Sequence, residues 1–264
     1  VVNGYFHEYS LSVNEYGAGI YMAGYAEIGE AYFQGAHPRT KRAVIESLVE
    51  GGRRSLAARG LTIRNGLTLE EDLESAIHTA IRFKKLLQVM LKTSKKEPGF
   101  IANILIGEDG KFTANWEDEE VHLLYAGVED IPNLVCDWAS LSKPAAPEFP
   151  AEMRKIGVHT LSRLKGSSFI VRRYLRDQGY SEPWASTLAD LSVGAKWGSV
   201  VLLDVPSEKI HQADFEEAGA GVVFSEGKKY CWIFRFDETN PAAVGEMVEG
   251  SQARLKEEIA RLVG

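Results

Sequence analysis

The chain has 264 residues, of which 45% are hydrophobic and 25% charged, and its formal net charge is −7. That length fits one large domain or two ordinary ones and buries enough surface to need no staples. The acidic balance argues against a dedicated nucleic-acid binder, although local patches matter more than net charge. No run reaches the roughly 18 to 20 apolar residues of a membrane helix, and the N-terminus lacks the basic patch and apolar core of a secretory signal. Two cysteines, Cys136 and Cys231, suit a reducing compartment. Together these features predict a soluble cytoplasmic protein with no membrane association.

Residues 1–38 are rich in aromatics and glycine and read as a packed irregular segment. A first helix is expected from Thr40 to Arg59, with Gly51-Gly52 as a possible break. A second is expected from Leu69 to Thr93, with Thr68 and Glu71 as a capping box and Leu69, Leu73, Ile77, Ile81 and Leu87 as its apolar face. The period then changes. Phe100–Ile106 and Lys111–Trp116 form a hairpin around Gly107-Glu108-Asp109-Gly110, and Val121–Val128 adds a third strand. Lys143–Pro150 carries three prolines in eight residues and reads as a linker or a long surface loop. The organisation is therefore either two lobes, 1–142 and 151–264, or a single domain.

Beyond it, Ser167–Gln178 reads as a helix with Gly179 at its C-terminus, and Trp184–Lys196 as another. Gly198–Val205, Ala220–Phe224 and Lys229–Phe236 read as strands. Asn240 and Pro241 mark the start of a last helix whose stripe is Val244, Met247, Val248, Leu255, Ile259 and Leu262. The fold class is α+β, with a helical N-terminal half carrying a β-hairpin and a mixed α/β C-terminal half ending in a helix.

Several catalytic signatures are missing. Gly17-Ala18-Gly19 lacks the third glycine of a dinucleotide fingerprint, and there is no P-loop, no Gly-x-Ser-x-Gly and no Cys-x-x-Cys. The six histidines are scattered, so no metal is expected.

Two segments resemble ADP-ribosyltransferases, which cleave NAD and transfer ADP-ribose. Tyr16-Gly17-Ala18-Gly19-Ile20-Tyr21 resembles the Tyr-Gly-x-Gly-Ile-Tyr loop that lines the nicotinamide pocket of the poly-ADP-ribosyltransferase branch. Trp184-Ala185-Ser186-Thr187-Leu188 is similar to the Ser-Thr-Ser strand of the arginine-serine-glutamate branch. The resemblance implies NAD as cofactor and Tyr16, Gly17, Gly19 and Tyr21 as its binding residues. It implies Arg163 on the phosphates, Ser186 steadying the site and Glu226 stabilising the cation formed as nicotinamide leaves. A macromolecule would be the acceptor.

Each segment also has a plainer reading. Tyr16–Ala23 reads as aromatic scaffold and Ser186-Thr187 as a helix start. Arg172, Arg173 and Arg176 share one helix and form the most basic local patch, with a solvated face as the bland reading. A rival function follows: a non-enzymatic interaction module docking a protein partner through the aromatic segment or this patch. A nucleic-acid-binding accessory protein that uses the same arginines is the third reading.

Overall fold

A computed structural model of the chain describes residues 6–92, 99–145, 155–157, 167–192, 196–203, 218–227, 229–236 and 244–264. Eight α-helices and twelve strands occur among them, so the protein is mixed α and β. The chain forms two compact units that interleave in sequence. One holds residues 3–85 and 102–128, the other 86–101 and 129–264.

The first unit opens with β1 (His7–Leu11), α1 (Val13–Met22), α2 (Ala26–Ala36) and α3 (Arg42–Ala58). A small hairpin, β2 (Thr62–Ile63) with β3 (Thr68–Leu69), leads into α4 (Glu71–Ile81). Of the stretch expected to be irregular, the described part is thus one strand and two helices. Ser12 and Glu15 form a capping box that starts α1. Glu15 is buried; Ser55 Oγ donates to it at 2.7 Å and Arg59 Nη1 at 2.8 Å, which fastens α1 to α3. Burial alone would raise this carboxyl, but the hydrogen bonds from Ser12 and Ser55 and the Arg59 charge outweigh it and hold it below the usual range. Helix α3 runs through Gly51-Gly52 without a break.

Strands β5 (Phe100–Ile106), β6 (Lys111–Glu117) and β7 (Val121–Gly127) lie where the change of period and the Gly107–Gly110 turn predict. They form an antiparallel sheet in the order β1-β7-β6-β5. Helix α4 packs on it, and the buried Thr113 hydroxyl donates to the Ala76 carbonyl. The expected capping box at Thr68 gives way to Glu70, whose carboxylate accepts from the Asp72 and Leu73 amides.

The second unit carries β4 (Lys85–Lys92), α5 (Ile131–Ala139), β8 (Lys155–Gly157), α6 (Ser168–Asp177) and α7 (Glu182–Ser192). Then follow β9 (Lys196–Leu203), β10 (Ala218–Glu226), β11 (Cys231–Phe236), β12 (Val244–Glu249) and α8 (Gln252–Val263). Its sheet has the order β4-β9-β10-β11-β12-β8, and every adjacent pair is antiparallel.

Two expected helices proved shorter, with a strand taking the remainder. Helix α4 ends at Ile81, and Leu87, Val89 and Leu91 then recur at period two on the buried side of β4. Val244–Glu249 is β12, and Met247 pairs with Phe234. Only Leu255, Ile259 and Leu262 form the stripe of α8, which Ser251 caps. Asn240 and Pro241 lie outside the described residues, as do 146–150 of the proline-rich stretch. Both cysteines are free and buried.

Candidate functional site

Helix α6 is built to show two different faces. The Ser167 side chain caps it by accepting from the Ile170 amide, and Gly179, at φ +91°, follows its end. Val171 and Leu175 are fully buried with Ala185 and Leu188 of α7 against Phe234, Trp232 and Met247 of the sheet. The opposite face turns outward. Phe169 is 69% and Ile170 58% exposed, large for apolar side chains on an ordered helix. One helical turn further on come Arg172 and Arg173, and two turns on comes Arg176. With Phe169 and Asp177 these arginines line an open cleft of about 460 Å³.

The cluster is partly pre-arranged. Arg172 Nε lies 3.0 Å from one oxygen of Glu182, and Arg176 Nε lies 3.1 Å from the other. Such exposed pairs add little stability, but one carboxylate shared by two guanidinium groups fixes both of them. Three arginines face two carboxylates, Asp177 and Glu182, so the surface stays cationic. The arginine spacing was legible in the sequence. The exposure of Phe169 and Ile170 was not, because an apolar pair in a helix reads equally as core.

The residues singled out by the enzyme reading fall elsewhere. Tyr16, Gly17, Gly19 and Tyr21 form a helix, not a loop. Tyr16 packs edge-to-face on Tyr32, with ring centres 5.2 Å apart, and burial pushes its hydroxyl up to about 12. A methyl group on Gly17 would come within 2.4 Å of the Phe33 ring, and one on Gly19 within 2.8 Å of the Ile77 side chain. These glycines make room for neighbouring side chains, at the cost of about 1 kcal/mol each in helix propensity. Ser186 and Thr187 sit inside α7, neither on a strand nor at a cap, and Thr187 Oγ1 bonds back to the Pro183 carbonyl. Arg163 lies outside the described residues.

Glu226 ends β10, where its carboxylate holds a loop. It accepts from the Ser142 amide and hydroxyl and from the Lys143 amide. The Cys231 amide, in turn, donates to the Pro144 carbonyl at 2.8 Å. No hydrogen bond joins Ser186 to Glu226 among the described residues. Burial opposes ionisation of Glu226, yet these donors outweigh it and depress its pKa. A depressed carboxylate stabilises above its unfolded value, about 4.3, and that contribution disappears as pH falls through the folded value. Glu226→Gln is expected to speed amide exchange at Ser142 and Lys143 several-fold at pH 7, a local loss on the order of 1 kcal/mol. The wild type should approach the variant's behaviour as it is acidified below that value.

A serine, histidine and aspartate do come together in the first unit. Ser10 Oγ lies 3.0 Å from His122 Nδ1, and His122 Nε2 lies 3.1 Å from Asp118. Ser10 and His122 are cross-strand partners on β1 and β7, and the imidazole stacks flat on Trp116. The Ser10 carbonyl is held by Arg59. The trio fastens an edge strand. Among the described residues, no group of histidine, cysteine and acidic side chains could hold a metal, and no helix is long and apolar enough to cross a membrane.

No protein-family model and no curated protein matches this sequence. A likeness emerges at the level of fold. The chain is similar to one in the solved structure of the Mycobacterium tuberculosis type VII secretion system chaperone EspG5 in complex with a PE25–PPE41 dimer, with a TM-score of 0.60 and 11% identity. The match covers 97% of this chain and 96% of that one. At this identity the likeness speaks to the fold. It nevertheless corrects the expectation of ADP-ribosyl transfer, because over nearly its whole length the chain shares its fold with a chain of that secretion-chaperone complex, and the glycine-tyrosine segment is helix, buried from Tyr16 to Ile20.

Proposed function

We propose that this chain is a non-enzymatic protein-binding protein of the secretion-chaperone kind, acting in the cytoplasm on a PE–PPE-like client. The observation that carries this reading is the fold likeness over 97% of the chain. The outward face of α6 supports it, since exposed apolar side chains beside fixed charges suit a protein interface. A nucleic-acid role is less favoured: Asp177 and Glu182 stand among the arginines, and the chain is acidic as a whole.

The test is size-exclusion chromatography with light scattering on the full chain mixed with the PE25–PPE41 dimer and with a panel of other PE–PPE pairs. Co-elution of a stoichiometric complex with at least one pair is expected. Separate elution from every pair overturns the client assignment.

A further inference from the structure

We infer that the outward face of α6 is a docking site for an amphipathic helix of a partner protein, one that carries an apolar anchor followed by carboxylates. This deepens the protein-binding reading above and rests on it. The ordering along α6 sets the partner's chemistry. Phe169 and Ile170 lie in the first turn, while Arg173 and Arg176 lie in the second and third. Phe169 and Arg176 are seven residues apart, about 10 Å along a helix. An opposing helix meets both points with side chains at i and i+7, its apolar anchor against Phe169 and its Asp or Glu against the arginines.

The occupant is acidic because the cluster is cationic even after its internal pairing. Arg172 and Arg176 already share Glu182. Arg173, exposed on the same face, forms no ion pair among the described residues. A solvated face of a surface helix would account for the arginines alone. It does not account for two large apolar side chains left more than half exposed in the first turn of the same helix, one of which, Phe169, lines the cleft. The Glu182 carboxylate holds two of the three cations before any partner arrives, which lowers the ordering cost of binding.

Fluorescence anisotropy on the full chain tests this. One labelled 18-residue helical peptide has a Leu/Phe stripe flanked by glutamates, and a second has the glutamates replaced by lysines. The glutamate peptide is expected to bind, and the lysine peptide to bind at least tenfold more weakly. Phe169→Ala and Arg173→Glu should each weaken the glutamate peptide about tenfold. Arg173→Glu should also improve binding of the lysine peptide, a gain that damage to the fold cannot produce. Both side chains are exposed, so circular dichroism and melting temperature should stay unchanged. Equal binding of the two peptides, no binding of either, or indifference to both substitutions overturns the proposal. So does a DNA duplex that binds more tightly than the glutamate peptide and depends on Arg173; that result assigns the face to nucleic acid. If a PE–PPE pair co-elutes but ignores both substitutions, the docking face is wrong and the client assignment stands. If the peptide results hold while every PE–PPE pair elutes separately, the face stands and the client assignment falls.

Discussion

Glu258→Ala is expected to destabilise the second unit by about 3 kcal/mol. Glu258 on α8 is only 2% exposed, and three arginines converge on its carboxylate: Arg254 at 2.6 Å, Arg261 at 3.2 Å and Arg235 at 3.5 Å. Arg235 lies on β11 and also pairs with Glu246 of β12, so Glu258 ties the last helix to the sheet beneath it. Removing the buried carboxylate strips all three cations of their shared partner, and this costs more than the pairs contribute, although Arg235 keeps Glu246 and Arg254 keeps Glu257. The arginines are 29%, 34% and 41% exposed on their side chains, so water recovers part of the loss. That places the effect at the lower end of the range for buried pairs. Glu257→Ala one residue away is the control. Among the described residues Glu257 pairs only with Arg254, at the surface, and its loss should cost less than about 0.5 kcal/mol. Amide exchange at 231–236 reads out the second unit alone, which matters because two units need not unfold as one transition.

Adjacent glycines in α3 are expected to respond with opposite signs. A methyl group on Gly52 would sit 2.3 Å from the Asn14 carbonyl oxygen and 2.7 Å from Ala18 Cβ, both on α1. The obstacle is partly backbone, so no rotamer change relieves it. The two helices must separate, stretching the Glu15 bonds to Ser55 and Arg59 that lie in the same interface. Gly52→Ala should therefore destabilise the first unit by about 2–3 kcal/mol. A methyl group on Gly51 meets nothing within 4 Å. There the ordinary helix preference for alanine decides, and Gly51→Ala should stabilise by about 0.5–1 kcal/mol. Chemical denaturation of the two single variants, followed by amide exchange in α1 and α3, checks both signs.

These glycines show why part of the fold was hidden in the sequence. A Gly-Gly pair mid-helix reads as a break if only local propensity is considered. The neighbour that makes Gly52 necessary, the Asn14 carbonyl, is 38 positions away and leaves no local trace. The same holds for Gly17, which is small because the Phe33 ring lies on it, and which imitated a ligand loop for that reason. Strands β5, β6 and β7 were legible because the helical period breaks off before Phe100 and Gly107–Gly110 turns between two of them. Strands β4 and β12 were not. Their apolar residues follow a helix or precede one, and a short apolar run fits either period; the ladders with β9 and β11 decide it. On the site, Arg172, Arg173 and Arg176 announced themselves by spacing. Which side of α6 faces solvent depended on Val171 and Leu175 finding Phe234 and Met247, a tertiary fact.

Hydrogen–deuterium exchange of the full chain with and without a co-eluting PE–PPE partner tests the docking face most directly. Slowed exchange centred on 168–177 is expected, with the protection reduced in the Phe169→Ala/Arg173→Glu double variant. Protection confined to other segments, with 168–177 unchanged, would contradict it.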